Sequence, residues 1–189
     1  SLAGGGLAAL LLTQGVLAAE GTRILPGQKD CQSKLPDHIS WSEQEIWAWE
    51  KRICLGKPAN LLDFEGSMER FCDPGNADAW PKTRNIRSVF VELLLNHEPY
   101  RSAMTRGGLI IQCANFSERL NLSNIQTRYP LMLDMSRFRQ PVTLDHYSSK
   151  SLLSFQKSHF DGDFSAQGLQ LEGSLFLRGG TQFQKFSLA

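Results

Sequence analysis

The residues of this 189-residue chain that could do chemistry are acidic pairs, histidines, cysteines and tryptophans. Asp161 stands beside Asp163, with Asp134 and Asp145 upstream. Two carboxylates on one face of a strand could cleave a glycosidic bond, one as acid and one as base or nucleophile. Strand alternation places Asp161 and Asp163 on one face only where the strand is regular. Asp73, Asn76 and Asp78 have the composition of a calcium loop, but EF-hand spacing and the terminal Glu are missing, so a turn is expected. His38, His97, His146 and His159 pair with no Cys or Ser in a catalytic pattern. There is no GxSxG elbow, phosphate loop, dinucleotide fingerprint or HExxH. Trp47 and Trp49 could stack on a sugar, yet at helical spacing in a small head core packing is the expectation. No catalytic residue, cofactor or metal ligand is therefore assigned.

Cys31, Cys54, Cys72 and Cys113 contain no CxxC pair, which argues against zinc. Their chemistry depends on compartment. Residues 4–19 are uncharged with an apolar centre at 7–12, and Val16-Leu17-Ala18 supplies short residues at the −3 and −1 positions. That is the pattern of a secretory signal peptide. Thr13-Gln14-Gly15 breaks the run short of the roughly 20 apolar residues a bilayer requires. Residues 1–19 are read as a partial signal peptide, lacking its basic start and initiator Met. The product is expected to be exported, periplasmic or extracellular, with no stable membrane insertion. In an oxidising space the even cysteine count favours disulfides. Three pairings are open. The preference is a bond among Cys31, Cys54 and Cys72, leaving Cys113, in a differently organised segment, free.

Over the whole chain Lys+Arg number 20 against 19 Asp+Glu, a net charge of +1. This excludes partners chosen by bulk charge, nucleic acid among them. With 41% hydrophobic and 21% charged residues the composition is globular. Residues 20–106 read as a helical head. Ser42 and Glu45 form a capping box, Trp41 and Ile46 a staple, and Ile46, Trp49 and Ile53 one apolar stripe before Gly56. A second helix is expected over residues 83–97, with Ile86, Val89, Phe90, Leu93 and Leu94 as its stripe. His97 falls at its end, where a charged imidazole complements the helix dipole.

Residues 107–189 change pattern. Leu109, Leu131, Leu153 and Leu175 recur every 22 residues, followed two residues on by Ile111, Leu133, Phe155 and Leu177. Phe116, Phe138 and Phe160 keep the interval, and Phe183 falls one residue late. Three further columns start at Leu120, Leu122 and Ile125. Spacings of two, five and four do not fit a helix, but they fit strands and turns of a coil whose copies stack into a continuous core. The fold class is α+β: a small helical cap followed by a β-helix of about 22 residues per coil. A solenoid end exposes core and strand edge, so the second helix is expected to cap it. No capping element follows, so the sequence is expected to be truncated at its C-terminus, with further coils in the complete protein.

At CANFSERLNLSNI, MSRF and SHFDGDFSAQGLQLEGSLFL the chain resembles pentapeptide-repeat proteins, and Ala114-Asn115-Phe116-Ser117 is close to their repeating unit. The resemblance covers residues 109–189 and is degenerate. It implies a right-handed β-helix with Phe or Leu inward at each corner. From WSEQEIWAWEKRIC to GSLFLRGGTQF the chain also looks like a group of uncharacterised bacterial proteins with a helical head before such a solenoid. That likeness implies no activity.

The duplex-DNA mimicry known among pentapeptide-repeat proteins needs an acidic rod. Residues 109–189 carry eight Lys+Arg and six Asp+Glu, a balance of +2. No column repeats an acidic residue, so scattered Asp reads as solvated surface. An exported, non-enzymatic scaffold or binding protein is the expectation, its partner a protein or envelope polymer. A carbohydrate-active enzyme of the cell envelope is the alternative.

Overall fold

The structure is a computed structural model describing residues 33–69 and 71–188. The expected signal segment and Cys31 lie outside those residues. Among the described residues no helix is long and apolar enough to cross a membrane.

The head begins at the capping box. The Ser42 hydroxyl accepts the Glu45 amide, and the Glu45 carboxylate accepts the Ser42 amide, starting α1 (Glu43–Trp47). A π turn (Ala48–Arg52) and a 3-10 turn (Ile53–Leu55) continue it to Gly56, where φ is 71°. Trp49 and Ile53 are buried, but Ile46 is exposed and Glu45 takes the inward position. The cause is electrostatic. The Arg87 amide and guanidinium both donate to Glu45, so the buried carboxylate is paired. Trp41 packs edge-on against Phe90 at 5.9 Å, with Arg87 over its ring.

After α2 (Leu61–Phe64), the second long helix starts later than the apolar stripe suggested. Lys82–Arg84 is a 3-10 turn, and Asn85 bridges to Asn115 in parallel while the Ile86 amide donates to the Asn115 carbonyl. α3 (Ser88–Asn96) then buries Phe90, Val91, Leu94 and Leu95, turning Val89 outward. α4 (Tyr100–Ala103) follows.

The rest of the chain is a β-solenoid of about four turns with 22-residue coils. Its strands form three parallel sheets, the second of which carries two strand stacks, Asn115–Phe116 with Arg137–Phe138 and Leu120–Asn121 with Val142–Thr143, joined in the long strand His159–Ser165. On the first face Leu109 pairs with Leu131, Leu131 with Leu153 and Leu153 with Leu175. On the second, Phe116, Phe138, Phe160 and Phe183 follow one another. The third holds Gln126–Thr127, Ser148–Ser149 and Gln170–Leu171. Phe183 falls late because the fourth coil pairs with the third at an offset of 23 residues (His159 with Gln182), returning to 22 at Asp163 with Lys185.

The coil has a finer period than the apolar columns revealed. Cys113, Asn124, Met135, His146, Lys157, Gly168 and Gly179 all have positive φ, between 50° and 81°, and stand eleven residues apart. Each coil is thus two half-coils, each ending in a left-handed corner. A left-handed non-glycine residue costs roughly 1–2 kcal/mol. The ladder holds it there: the amides of Asn124, Met135, His146 and Lys157 each donate to the next coil at 2.7–3.0 Å.

The head closes this core. Its strand Ala59–Asn60 pairs with Ile111–Gln112 and extends the first face. The Asn85 bridge covers the second. α3 lies under the first coil, where the Ser88 hydroxyl donates to the Glu118 carbonyl and Glu92 accepts the Asn121 amide. The third face begins at Gln126–Thr127 with no strand on its head side among the described residues.

Candidate functional site

The carboxylates that could have formed a catalytic pair are drawn apart. The strand His159–Ser165 shifts register between Phe160 and Asp163, so simple alternation is lost there. Asp163 pairs with Lys185 at 3.2 Å on the surface. Asp161 instead receives Arg137 through two bonds of 2.5 and 2.8 Å, and Arg139 at 3.4 Å. The His159 Nε2 lies 3.5 Å from the same carboxylate. Burial, with the Arg137 charge next, holds the His159 imidazole below its ordinary pKa. Both oxygens of Asp161 are thus engaged by guanidinium groups.

Asp134 and Asp145 are staples between coils. Each precedes a left-handed corner, and each Oδ1 accepts a serine hydroxyl at 2.6 Å, from Ser154 and Ser165 respectively. The same oxygens accept the Gln156 and Gln167 amides at 2.9 and 3.0 Å. Their pKa values move oppositely. Burial raises that of Asp134 despite its hydrogen bonds, whereas the Ser165 hydroxyl, then the Gln167 amide, lower that of Asp145.

The Asp161 cluster fastens the head loop. Arg137 also donates to the Pro74 carbonyl at 2.9 Å, and Arg139 reaches Asp78 at 2.8 Å. Beside it Cys72 is bonded to Cys113, which corrects the expectation of a free Cys113. The corner at Cys113 ends the first strand of the first coil, and the loop carrying Cys72 runs across it. Cys54 is also disulfide-bonded, and no described cysteine is free. The sequence reading missed Arg137 and Arg139. Arg-Phe-Arg was the available signal, since an inward Phe138 places both flanking side chains outward.

The other candidates resolve into structure. Asp73 accepts the Gly75 amide and the Asn76 side-chain amide, forming the expected turn. Among the described residues no group of three His, Cys, Asp or Glu is placed to hold a metal. Trp49 is buried, donates to the Ser33 carbonyl and packs edge-on against Tyr100 at 5.6 Å. Trp47 lies 5.3 Å from the Phe64 ring.

A two-lobed groove remains along the third face. One lobe, of about 400 Å³, lies between the end of α3, α4 and the first coil. The other, of about 640 Å³, continues over the second and third coils. Both are lined by Arg101, Gln126, Thr127 and Arg128, which makes the lobes contiguous. In comparisons with known proteins, no family model, curated protein or solved structure matches the chain.

Proposed function

We propose that this chain is an exported, non-enzymatic scaffold or binding protein, using a rigid β-solenoid surface to hold a protein or an envelope polymer. The observation that carries this reading is the engagement of the solenoid's acidic side chains. Asp134 and Asp145 staple coils, while Asp161 and Asp163 are spent on cations. Such a surface holds its shape, and these four carboxylates do not converge as an acid and a base. The disulfide between Cys72 and Cys113 supports export into an oxidising compartment. It accords with residues 1–19 acting as a signal peptide and with a periplasmic or extracellular location. The left-handed corners and inward Phe rings support kinship with the right-handed pentapeptide-repeat solenoids of bacteria.

The experiment is incubation of the purified protein with a panel of envelope glycans, assaying both retention and release of reducing ends. Retention of a glycan or protein partner without turnover is expected. Release of product from any glycan overturns the reading in favour of a carbohydrate-active enzyme.

A further inference from the structure

The groove on the third face has an asymmetry of charge that its own residues do not satisfy. Its acids are answered internally: Glu172 faces Lys150 at 3.6 Å, and Glu98 accepts the Ser102 amide at 3.1 Å. The side chains of Arg101 and Arg128, which line both lobes, have no hydrogen-bond or ion-pair partner among the described residues. Between them the floor is polar and repetitive. Gln126, Ser148 and Gln170 stand in register on successive coils. Thr127 donates to the Ser149 hydroxyl at 2.9 Å and lies 2.8 Å from the Tyr147 hydroxyl, so the inner column is satisfied and fixed.

Guanidinium forks match carboxylates in a planar, two-bond geometry. Amides and hydroxyls repeated at the strand spacing of about 4.8 Å match a hydroxyl-rich polymer laid along the solenoid axis. A peptide would call for apolar pockets at alternate positions, and single-stranded nucleic acid for a run of exposed rings. The apolar lining residues, Leu94, Leu95 and Met104 in one lobe and Leu169 and Leu171 in the other, sit at the two ends, while the exposed column of Gln126, Ser148 and Gln170 between them is polar and Tyr129 is the one ring in the lining. Resting on the binding reading above, we infer that this groove takes an acidic polysaccharide, its carboxylates on Arg101 and Arg128 and its sugar hydroxyls on Gln126, Ser148 and Gln170.

The test is titration calorimetry of the full chain with oligogalacturonate, alongside neutral dextran and polyglutamate. Oligogalacturonate is expected to bind in preference to both. Arg101→Ala/Arg128→Ala is expected to weaken it at least about tenfold, with an unchanged melting temperature. Arg106→Ala/Arg119→Ala, whose residues line neither lobe, is expected to leave it unchanged. Failure of oligogalacturonate to bind, equal binding of polyglutamate, or unaltered binding by the groove variant overturns the assignment. These results leave the broader reading standing if the protein retains another glycan or a protein partner, whereas release of reducing ends overturns that reading itself.

Discussion

Phe138 lies nearly parallel to Phe116 at 4.8 Å and to Phe160 at 4.6 Å, with Phe155 edge-on at 5.8 Å. Removing that ring opens a void bounded by three coils, so Phe138→Ala should lower unfolding stability by roughly 3–5 kcal/mol in urea titration. A loss under about 0.5 kcal/mol, the level of a neutral surface change, would contradict the stacked column. The aspartate staples make a second test with opposite signs. Asp145 is held below the ordinary carboxylate range, so its contribution is present above that range and lost as pH falls through the folded value. Burial raises Asp134, so its contribution is present below the ordinary range and lost as pH rises through the folded value. Asp145→Asn should therefore flatten the acid limb of a stability profile, and Asp134→Asn should remove a loss on the neutral side. Parallel behaviour of the two variants would defeat the assignment. These staples were not legible in the sequence. Asp134 and Asp145 occupy different columns of the 22-residue frame and look unrelated until the eleven-residue corner relates them.

Among the elements, the loop carrying Cys72 to Asp78 is joined to the solenoid twice, by a disulfide and by the Asp161 ion cluster. The disulfide spans a sequence separation of 41, for which loop-closure entropy gives about 4 kcal/mol. Cys72→Ala/Cys113→Ala should lose an amount of that order in equilibrium unfolding. The ion cluster acts more locally. Arg137→Ala/Arg139→Ala should speed hydrogen exchange across residues 74–79 while leaving the amides of the first coil protected, and uniform acceleration would mean the cluster holds the solenoid itself. Element types were readable where the signal was local, as in the capping box at Ser42 and the stripe that became α3. Boundaries and faces moved where a distant partner intervened. Arg87 drew Glu45 inward past Ile46, and Asn115 held Asn85 extended, delaying the helix to Ser88.

At the scale of the whole molecule the sequence spoke most clearly, because each core column repeats the same side-chain choice coil after coil. Summed over coils, a weak preference becomes a register: Leu109 with Leu131, Leu153 and Leu175. The contacts between head and solenoid carry no such multiplication, so Cys72 with Cys113 could not be distinguished from other pairings. Stability in such an array is nearly a sum over adjacent coils. Deleting residues 131–152 brings Leu153 onto Leu109 with every column aligned, and the product should remain folded with a lower melting temperature. Deleting residues 131–150 misaligns every column and should abolish the β signal in circular dichroism. Folding of both products would break the link between column and register.

The bond from Cys72 to Cys113 also sets how the molecule yields to force. Pulled along its axis, a stack held by ladders parts coil by coil, each release paying out about 75 Å of chain at roughly 3.4 Å per residue. The sulfur link shunts tension past the junction of head and first coil, so rupture begins at the far coils and that junction gives way last.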